Sequence, residues 1–182
     1  IDSYLLDWKK NPDRMPLIIK GARQIGKTSS IEHFAKTYKY FVEINFITEP
    51  QYKKIFLSGY SPENVIKEIS LINPEFKFVP NETLILFDEM QVCPDCATCL
   101  KFFKLDGRYD VICSGSLLGI NYEEITSVSV GYKTDYEMHS LDFEEFLWAK
   151  GYSQSQIDGI YEHRYRRHLP VCRLYAQKRS TK

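Results

Sequence analysis

A glycine, four variable residues and a Gly-Lys-Thr triplet follow a short apolar run near the amino terminus. Residues 21–28 have the sequence GARQIGKT, and the apolar residues before them are Leu, Ile and Ile. This is the pattern of a phosphate-binding loop, G-x-x-x-x-G-K-[ST]. Gly21 and Gly26 permit a tight turn whose N–H groups face phosphate oxygens, Lys27 adds a positive charge, and Thr28 offers a hydroxyl to Mg²⁺. The helix expected next adds the positive end of its dipole. The alternative is a glycine-bearing strand-to-helix turn without a ligand.

Two acids follow a second apolar run. Residues 83–87 are Thr, Leu, Ile, Leu and Phe, and Asp88 and Glu89 come directly after them. An aspartate at such a strand end can hold Mg²⁺ together with Thr28. The neighbouring Glu89 can orient or deprotonate a water that attacks a terminal phosphate. The alternative is a strand that ends in two solvated acids.

A third polar group ends the next apolar run. Ser114 follows residues 109–113, where its hydroxyl can contact the γ-phosphate or the attacking water. The alternative is that Ser114, Gly115 and Ser116 form only a turn and a helix cap. Gln91 is a further candidate for the same polar cluster.

The elements that must position these groups alternate between strand and helix patterns. Apolar runs and alternation predict strands at 17–19, 41–46, 83–87, 109–113 and 133–139. Amphipathic spacing predicts helices at 3–11, after the loop to about 38, and at 49–57, 62–72, 94–104, 141–148 and 154–167. A loop is expected over about 121–132. This order indicates an α/β fold, a mostly parallel sheet with helices on both faces. Ligands of such sheets bind at the carboxyl ends of the strands, where Gly21, Asp88 and Ser114 all fall.

Three cysteines recur at three-residue steps, at positions 93, 96 and 99. The spacing is similar to part of an iron–sulfur run, but a fourth ligand at the expected distance is missing. On a helix these steps favour one face, where cysteine behaves as a small buried apolar residue. Both interpretations stay open, with burial preferred.

Composition limits the classes of function. The chain has 182 residues and a formal net charge of zero, so no global field favours nucleic acid or a membrane. No apolar run approaches the roughly 20 residues of a membrane helix, and the first residues lack a signal-peptide pattern. Five scattered cysteines suit a reducing compartment, so we expect a cytoplasmic protein. The end of the chain is basic, which indicates either a contact with nucleic acid or a solvated tail.

These motifs together resemble a known family, the predicted ATPases of the AAA+ superfamily in bacteria and archaea. Four segments carry the resemblance in the family's order and spacing: LIIKGARQIGKT, TLILFDEMQVCP, VICSGSLLG and LDFEEFLWAKG. The family combines an ATP-binding domain with a nuclease-like domain of unknown function. The similarity covers roughly residues 4–165.

The resemblance implies a P-loop NTPase fold and the cofactors ATP and Mg²⁺. It implies that Mg²⁺ is held by Thr28 and Asp88 and that Glu89 is the catalytic base. Ser114 would occupy the sensor position, and Lys27 would act on the phosphates. The ATP-binding residues would be Gly21, Ala22, Arg23, Gln24, Ile25, Gly26, Lys27, Thr28 and Ser29.

The sequence departs from the family at two places. A Gly-Arg or Gly-Lys pair usually precedes the LDFEEF-like segment, whereas Gly131 here is followed by Tyr132, with Lys133 next. The family's second domain is essentially missing. We therefore expect an ATPase domain over residues 1–152, and a helix with a basic tail over 153–182 as the remnant of a second domain.

The sequence thus predicts Mg²⁺-dependent ATP binding and hydrolysis. The alternative is a nucleotide-gated binding or regulatory module, associated with DNA, that hydrolyses little by itself. A small-molecule kinase is a third, weaker hypothesis. Such ATPases commonly take an arginine from a neighbouring subunit, so a homo-oligomer is an expected partner arrangement. The sequence assigns this role to no arginine, and Arg108 is named as a candidate.

Overall fold

The computed structural model describes residues 1–116 and 131–166, with side chains up to residue 162. The chain divides into two compact units, Ile1–His139 and Ser140–Lys182. The first unit contains every residue that the sequence assigned to the phosphate-binding site. The predicted boundary near residue 152 stays a prediction.

The first unit is built on a five-stranded sheet. Its spatial order is β2-β3-β4-β1-β5, and each neighbouring pair is parallel. The prediction of a parallel sheet is therefore confirmed. The strands are β1 (Leu17–Gly21), β2 (Tyr40–Asn45), β3 (Thr83–Asp88), β4 (Asp110–Ser116) and β5 (Thr134–Met138).

The burial of each strand follows from its position in the sheet. All residues of β3 and β4 are buried, because both strands have neighbours at each side and helices over each face. The edge strand β2 instead alternates between buried and half-buried residues. Continuous apolar runs thus became central strands, and the alternating run became an edge.

Helices cover both faces, as predicted. On one face, α1 (Asp2–Lys10) and α2 (Lys27–Ala35) pack with the strand residues Leu17, Ile19, Leu84, Leu86 and Ile112. On the other face, α3 (Pro62–Ile72), α4 (Asp95–Asp106) and a 3₁₀ helix (Pro50–Phe56) pack with Ile18, Val42, Ile44, Ile85, Phe87, Val111 and Cys113. Side chains from successive strand positions thus enter opposite cores.

Local sequence sets the helix ends. The Ser61 side chain accepts a hydrogen bond from the Asn64 N–H, and Pro62 occupies the first turn, so α3 begins where the sequence predicted. The segment expected to be helical at 49–57 is instead 3₁₀ over Pro50–Phe56. The helix expected to reach about residue 38 ends at Ala35.

Residues 114–116 belong to β4 and do not form a turn or a cap. Their backbone pairs with Ile19, Lys20 and Gly21 of β1. The turn-and-cap interpretation of this segment was therefore wrong. These residues stay in the sheet because the neighbouring strand β1 continues to Gly21 and pairs with them. Of the loop expected at 121–132, residues 121–130 lie outside the described part.

The described part of the second unit contains two helices, α5 (Phe143–Ala149) and α6 (Gln154–Arg166). Asp142 caps α5 with a capping box, since its carboxylate accepts the Glu145 N–H while the Glu145 side chain accepts the Asp142 N–H. The helix predicted over 141–148 therefore begins after an aspartate that caps it. The basic side chains after residue 162 and Cys172 lie outside the described side chains. Within the described ranges, no helix has the length and apolarity needed to cross a membrane.

Candidate functional site

The loop between β1 and α2 has the backbone turns that the glycine pattern predicts. Gly26 has a φ of 92° and Gln24 a φ of 61°, both in the left-handed region. The Ser30 N–H donates to the Gly26 carbonyl oxygen at 2.9 Å, which starts α2 directly after the loop. The Lys27 ammonium group donates to the carbonyl oxygens of Gly21, at 3.2 Å, and Ala22, at 2.6 Å. The Lys27 side chain therefore bends back onto the first residues of the loop.

Asp88 lies at the end of β3 with only 3% of its surface exposed. Its Oδ2 accepts hydrogen bonds from the Thr28 hydroxyl, at 3.2 Å, and from the Asn45 side-chain amide, at 3.1 Å. Its Oδ1 accepts the Glu89 N–H, at 3.0 Å, and the hydroxyl of Ser114. Four donors thus satisfy the buried carboxylate and hold it in one orientation.

The sequence analysis missed Asn45, the last residue of β2. The Asn45 Oδ1 accepts the N–H groups of Ile47, at 2.9 Å, and Thr48, at 3.1 Å, which turns its NH₂ group toward Asp88. A usable signal was present, because a polar residue at the carboxyl end of a predicted parallel strand belongs to the ligand edge.

Glu89 and Gln91 form a second polar group beside the first. Glu89 has a φ of 57° and precedes a short 3₁₀ helix (Met90–Val92). The Gln91 NH₂ group donates to the Glu89 Oε2, and the Gln91 Oε1 accepts the Ser116 N–H at 3.2 Å. The low-priority candidate Gln91 is therefore in contact with the predicted base.

Electrostatics couple the loop to the two acids. Partial burial lowers the pKa of Lys27, while the Glu89 and Asp88 carboxylates raise it and Arg23 lowers it. Thr28 follows Lys27 directly and contacts Asp88 at 3.2 Å, so the lysine and the acids lie at the same end of the strands. The structure thus brings Lys27, Thr28, Asp88, Glu89 and Ser114 to one edge of the sheet.

Comparison with known proteins gives the family. A family model described as an AAA domain matches residues 13–147, which is more than half of the chain. The chain belongs to the AAA domain family. This membership agrees with the resemblance drawn from the motifs, and it supports nucleotide binding of the ATPase type.

Several solved structures are similar to this chain at low sequence identity. A chain from "Structure of Drosophila ORC bound to DNA" has 14% identity and a TM-score of 0.48, with 79% of this chain and 93% of that chain covered. C. elegans PCH-2 has 14% identity and a TM-score of 0.43, and the match covers 74% of this chain and 40% of that one. Pif1 helicase from Candida albicans has 15% identity and a TM-score of 0.47, with coverage of 86% and 42%. This chain thus spans less than half the length of PCH-2 and Pif1. No curated protein sequence matches it.

The oxygen groups of the AAA domain suit Mg²⁺. This ion binds proteins through one or two carboxylates and completes its shell with substrate phosphates and water. The buried Asp88 carboxylate and the Thr28 hydroxyl are hard oxygen donors 3.2 Å apart. Within the described residues, no group of three or more His, Cys, Asp or Glu is arranged to hold a metal by itself. These two oxygen donors are of the kind that Mg²⁺ takes from a protein.

Lys133 and Arg108, two basic residues named in the sequence analysis, precede the amino-terminal ends of their strands, at the end of the sheet opposite the site. Lys133 precedes β5 and donates to both Asp135 oxygens, at 2.6 and 2.7 Å. Because the strands are parallel, that position is about 15 Å of strand length from the loop. Arg108 precedes β4 and makes ion pairs with Glu63 and Asp106. Neither residue reaches the candidate site of its own chain.

The cysteines are packed in the core of the AAA domain. Cys93, Cys96 and Cys99 are buried together with Cys113 of β4. Burial raises the pKa of Cys93 to about 11, and it raises those of Cys96 and Cys99 well above the ordinary value. The interpretation as small buried side chains is confirmed: α4 turns Cys96 and Cys99 toward the sheet, and Cys93 is buried just before this helix.

Proposed function

We propose that this AAA domain binds ATP with Mg²⁺ and hydrolyses it to ADP and phosphate. The observation that supports the proposal best is the 3.2 Å contact between Thr28, at the end of the phosphate-binding loop, and the buried Asp88 of β3. This contact joins the two motifs that a nucleoside triphosphate with Mg²⁺ requires at one point.

The loop would bind the phosphates. The N–H groups of residues 21–29 and the first turn of α2 would donate to phosphate oxygens. Lys27 would leave the carbonyl oxygens of Gly21 and Ala22 and contact the β- and γ-phosphates, where its charge is better compensated. Thr28 and Asp88 would hold Mg²⁺, which supplies charge neutralisation at the β- and γ-phosphate oxygens when bound.

Glu89 would act as the base of hydrolysis. A water oxygen forms a bond to the γ-phosphorus while the bond from this phosphorus to the β–γ bridging oxygen breaks. ADP leaves with the electron pair, and the Glu89 carboxylate accepts the proton of the water. Ser114 would orient Asp88 through its hydroxyl, and its contact with the γ-phosphate or the water stays a prediction.

A neighbouring subunit would raise the rate. An arginine supplied in trans is worth about 10³–10⁵ in kcat among related phosphoryl-transfer sites. The single chain would then hydrolyse ATP slowly and gain activity with self-association. Phosphate release should therefore be measured over a range of protein concentrations.

The proposal is tested by separating binding from turnover. Lys27→Ala removes the charge that meets the outer phosphates, so the Kd for Mg-ATP should rise by about 10²-fold or more. Glu89→Gln keeps the shape of the side chain but cannot accept the proton, so kcat should fall about 10²–10⁴-fold while Kd stays within about twofold. Equilibrium binding with ATP and phosphate release without an added acceptor provide the two readouts.

Exposed residues of the same types provide the controls. Lys36→Ala, just after α2, and Glu75→Gln, in the segment after α3, should leave both quantities unchanged. An unaltered Kd in Lys27→Ala would refute binding at the loop. An unaltered kcat in Glu89→Gln would remove that residue from the reaction, and phosphate release only with an acceptor would indicate a kinase.

The alternative, a nucleotide-gated module, predicts tight binding without turnover at any protein concentration. A nucleic-acid partner stays a prediction of the basic tail. Adding duplex DNA at 50 and 200 mM salt to the hydrolysis assay tests it, because binding through phosphate contacts weakens steeply with salt.

A further inference from the structure

Gln91 bridges the predicted base to the neighbouring strand. Its NH₂ group donates to the Glu89 carboxylate, and its carbonyl oxygen accepts the Ser116 N–H at 3.2 Å. Glu89 follows β3, and Ser116 is the last residue of β4. One side chain therefore ties the carboxylate to a backbone position on a different strand.

An amide side chain satisfies both neighbours. The Glu89 carboxylate accepts hydrogen bonds and needs a donor, whereas the Ser116 N–H donates and needs an acceptor. A glutamine offers a donor and an acceptor on one planar group, and this settles which way its amide points. Glutamate in its place would present oxygen to oxygen at Glu89.

The backbone around Gln91 is anchored on both sides. Met90 is fully buried, and the Cys93 N–H donates to its carbonyl oxygen at 3.0 Å. Glu89 itself has a φ of 57°, a left-handed conformation that costs about 1–3 kcal/mol in a residue other than glycine. Because the turn is fixed in this way, the Gln91 side chain is held in one position. The hydrogen-bonded link from Glu89 to Ser116 therefore follows from the backbone fold.

The two acids are tied to β4 through separate connections. Asp88 contacts the Ser114 hydroxyl, and Glu89 reaches Ser116 through Gln91. These two residues of β4 are two positions apart, so each acid is held by its own point along the strand. Loss of the glutamine would leave the Asp88 cluster intact and release only Glu89.

We infer that Gln91 is a positioning residue for hydrolysis, which holds the Glu89 carboxylate in place for the attacking water by anchoring it to the Ser116 N–H of β4. This inference rests on the proposed function, in which Glu89 is the base. It assigns Gln91 an effect on kcat that passes through Glu89, with no contact to the nucleotide.

The test uses two substitutions at Gln91 in the whole 182-residue chain. Gln91→Ala removes both hydrogen bonds, and a misplaced catalytic group can cost about 10²-fold, so kcat should fall about 10- to 100-fold. Gln91→Glu is of the same size and keeps an acceptor for Ser116 but repels Glu89, so kcat should fall at least as far. In both variants the KM and the Kd for Mg-ATP should stay within about twofold, and the Tm should stay close to that of the unsubstituted chain.

The matched control is Gln51, an exposed residue of the first 3₁₀ helix. Gln51→Ala and Gln51→Glu should leave kcat and KM unchanged. A Gln91→Ala variant with unchanged or higher kcat would overturn the inference. So would a parallel loss of nucleotide binding and Tm, since this would indicate a general structural role.

A double substitution separates this inference from the proposed function. If Gln91 acts through Glu89, adding Gln91→Ala to Glu89→Gln should lower kcat no further, whereas independent residues would give multiplied losses. Multiplied losses would overturn the role of Gln91 and leave Glu89 as the base. A chain with no phosphate release at any concentration would overturn the proposed hydrolysis, and with it the inference.

Discussion

At position 21 of the motif, glycine is required for a different physical reason from the expected one. The pattern suggested glycine for a tight turn, and Gly26 fits this reason, with a φ of 92°. Gly21 lies within β1, and a Cβ at this position would lie 2.3 Å from the Met138 carbonyl oxygen and 2.7 Å from the Ile25 side chain. The close approach of β5 therefore requires glycine at position 21.

A Gly21→Ala variant should be destabilised. The added methyl group overlaps a backbone atom of β5, which must shift, and overpacking of this kind costs about 1–3 kcal/mol. The same shift would move the loop, so the Kd for Mg-ATP should rise as well. Thermal unfolding and equilibrium binding measure the two effects.

Gly159 of α6 provides the comparison for this substitution. Among the described residues, no atom outside the backbone of α6 itself lies within 4 Å of a Cβ added there. Gly159→Ala should leave the Kd unchanged and stabilise the helix by up to about 1 kcal/mol. A Gly21→Ala variant with the stability and affinity of the unsubstituted chain would contradict the steric reason.

At the scale of elements, α4 against β4 explains the cysteines. The Cys99 Sγ donates to the Cys96 carbonyl oxygen at 3.0 Å within α4, and both thiols belong to the same buried cluster as Cys113 of β4. The cysteines of the helix and of the strand are thus part of one apolar core. The thiols therefore fill the core as small apolar groups, with Cys96 and Cys99 on the face that α4 turns inward and Cys93 in the segment before it.

The described thiols should resist alkylation in the folded protein. A Cys172→Ser variant leaves Cys93, Cys96, Cys99 and Cys113, all of them buried. With a pKa of about 11, less than about 1% of Cys93 is thiolate at pH 8, which slows its reaction well below that of an ordinary cysteine. Labelling by iodoacetamide should need hours in the native state and be rapid in guanidinium.

Fast labelling of any of these thiols at pH 8 in the folded variant would contradict this packing. Elemental analysis of the same preparation for iron and zinc tests the alternative interpretation of the cysteine spacing. A stoichiometric metal that is lost on unfolding would replace burial as the reason for the repeat.

At the scale of the whole first unit, the two ends of the strands have different roles: one forms the candidate site and the other contributes to stability. The carboxyl edge carries the loop and the acids, and the amino edge carries a polar network around Asp110, which is 8% exposed. Arg14 donates to both Asp110 oxygens, at 2.6 and 2.9 Å, and the Tyr38 hydroxyl donates at 2.7 Å. The network joins the segment before β1, the segment after α2 and the start of β4, so it stabilises the unit away from the site.

Asp110→Ala should lower stability without changing the site. The substitution removes the acceptor of the Arg14 guanidinium and of the Tyr38 hydroxyl, which costs about 1–3 kcal/mol. The site is about 20 Å of strand length away, so the Kd for Mg-ATP should be unchanged at temperatures where the variant is folded. Urea unfolding and equilibrium binding are the measurements.

The exposed pair of Asp7 and Lys10 provides the comparison, since both side chains are 75% exposed. Asp7→Ala should change the free energy of unfolding by no more than about 0.5 kcal/mol. An Asp110→Ala variant as stable as Asp7→Ala would show that the network contributes nothing. A changed nucleotide affinity in the folded Asp110→Ala variant would show that the two edges are coupled.

The sequence by itself determined the motifs, the type of most elements and the parallel sheet. These features depend on residues that are close together in the sequence. An apolar run predicts a buried strand, and the glycines of the loop pattern permit its turn. Ser61 and Asp142 cap helices by accepting N–H groups three residues later. The predictions for α3 and for the Asp88 strand were therefore close to the observed bounds.

Only the tertiary structure decided which side chains meet at the site. Asn45 of β2 and Met138 of β5 reach it, and Gln91 meets Ser116 of β4, because these strands take particular places and registers in the order β2-β3-β4-β1-β5. The parallel pairing of β5 with β1 puts Lys133 at the end of the sheet opposite the site. Register is a property of pairs of strands distant in sequence, so no local pattern contains it, and one residue of shift would exchange the face of every side chain.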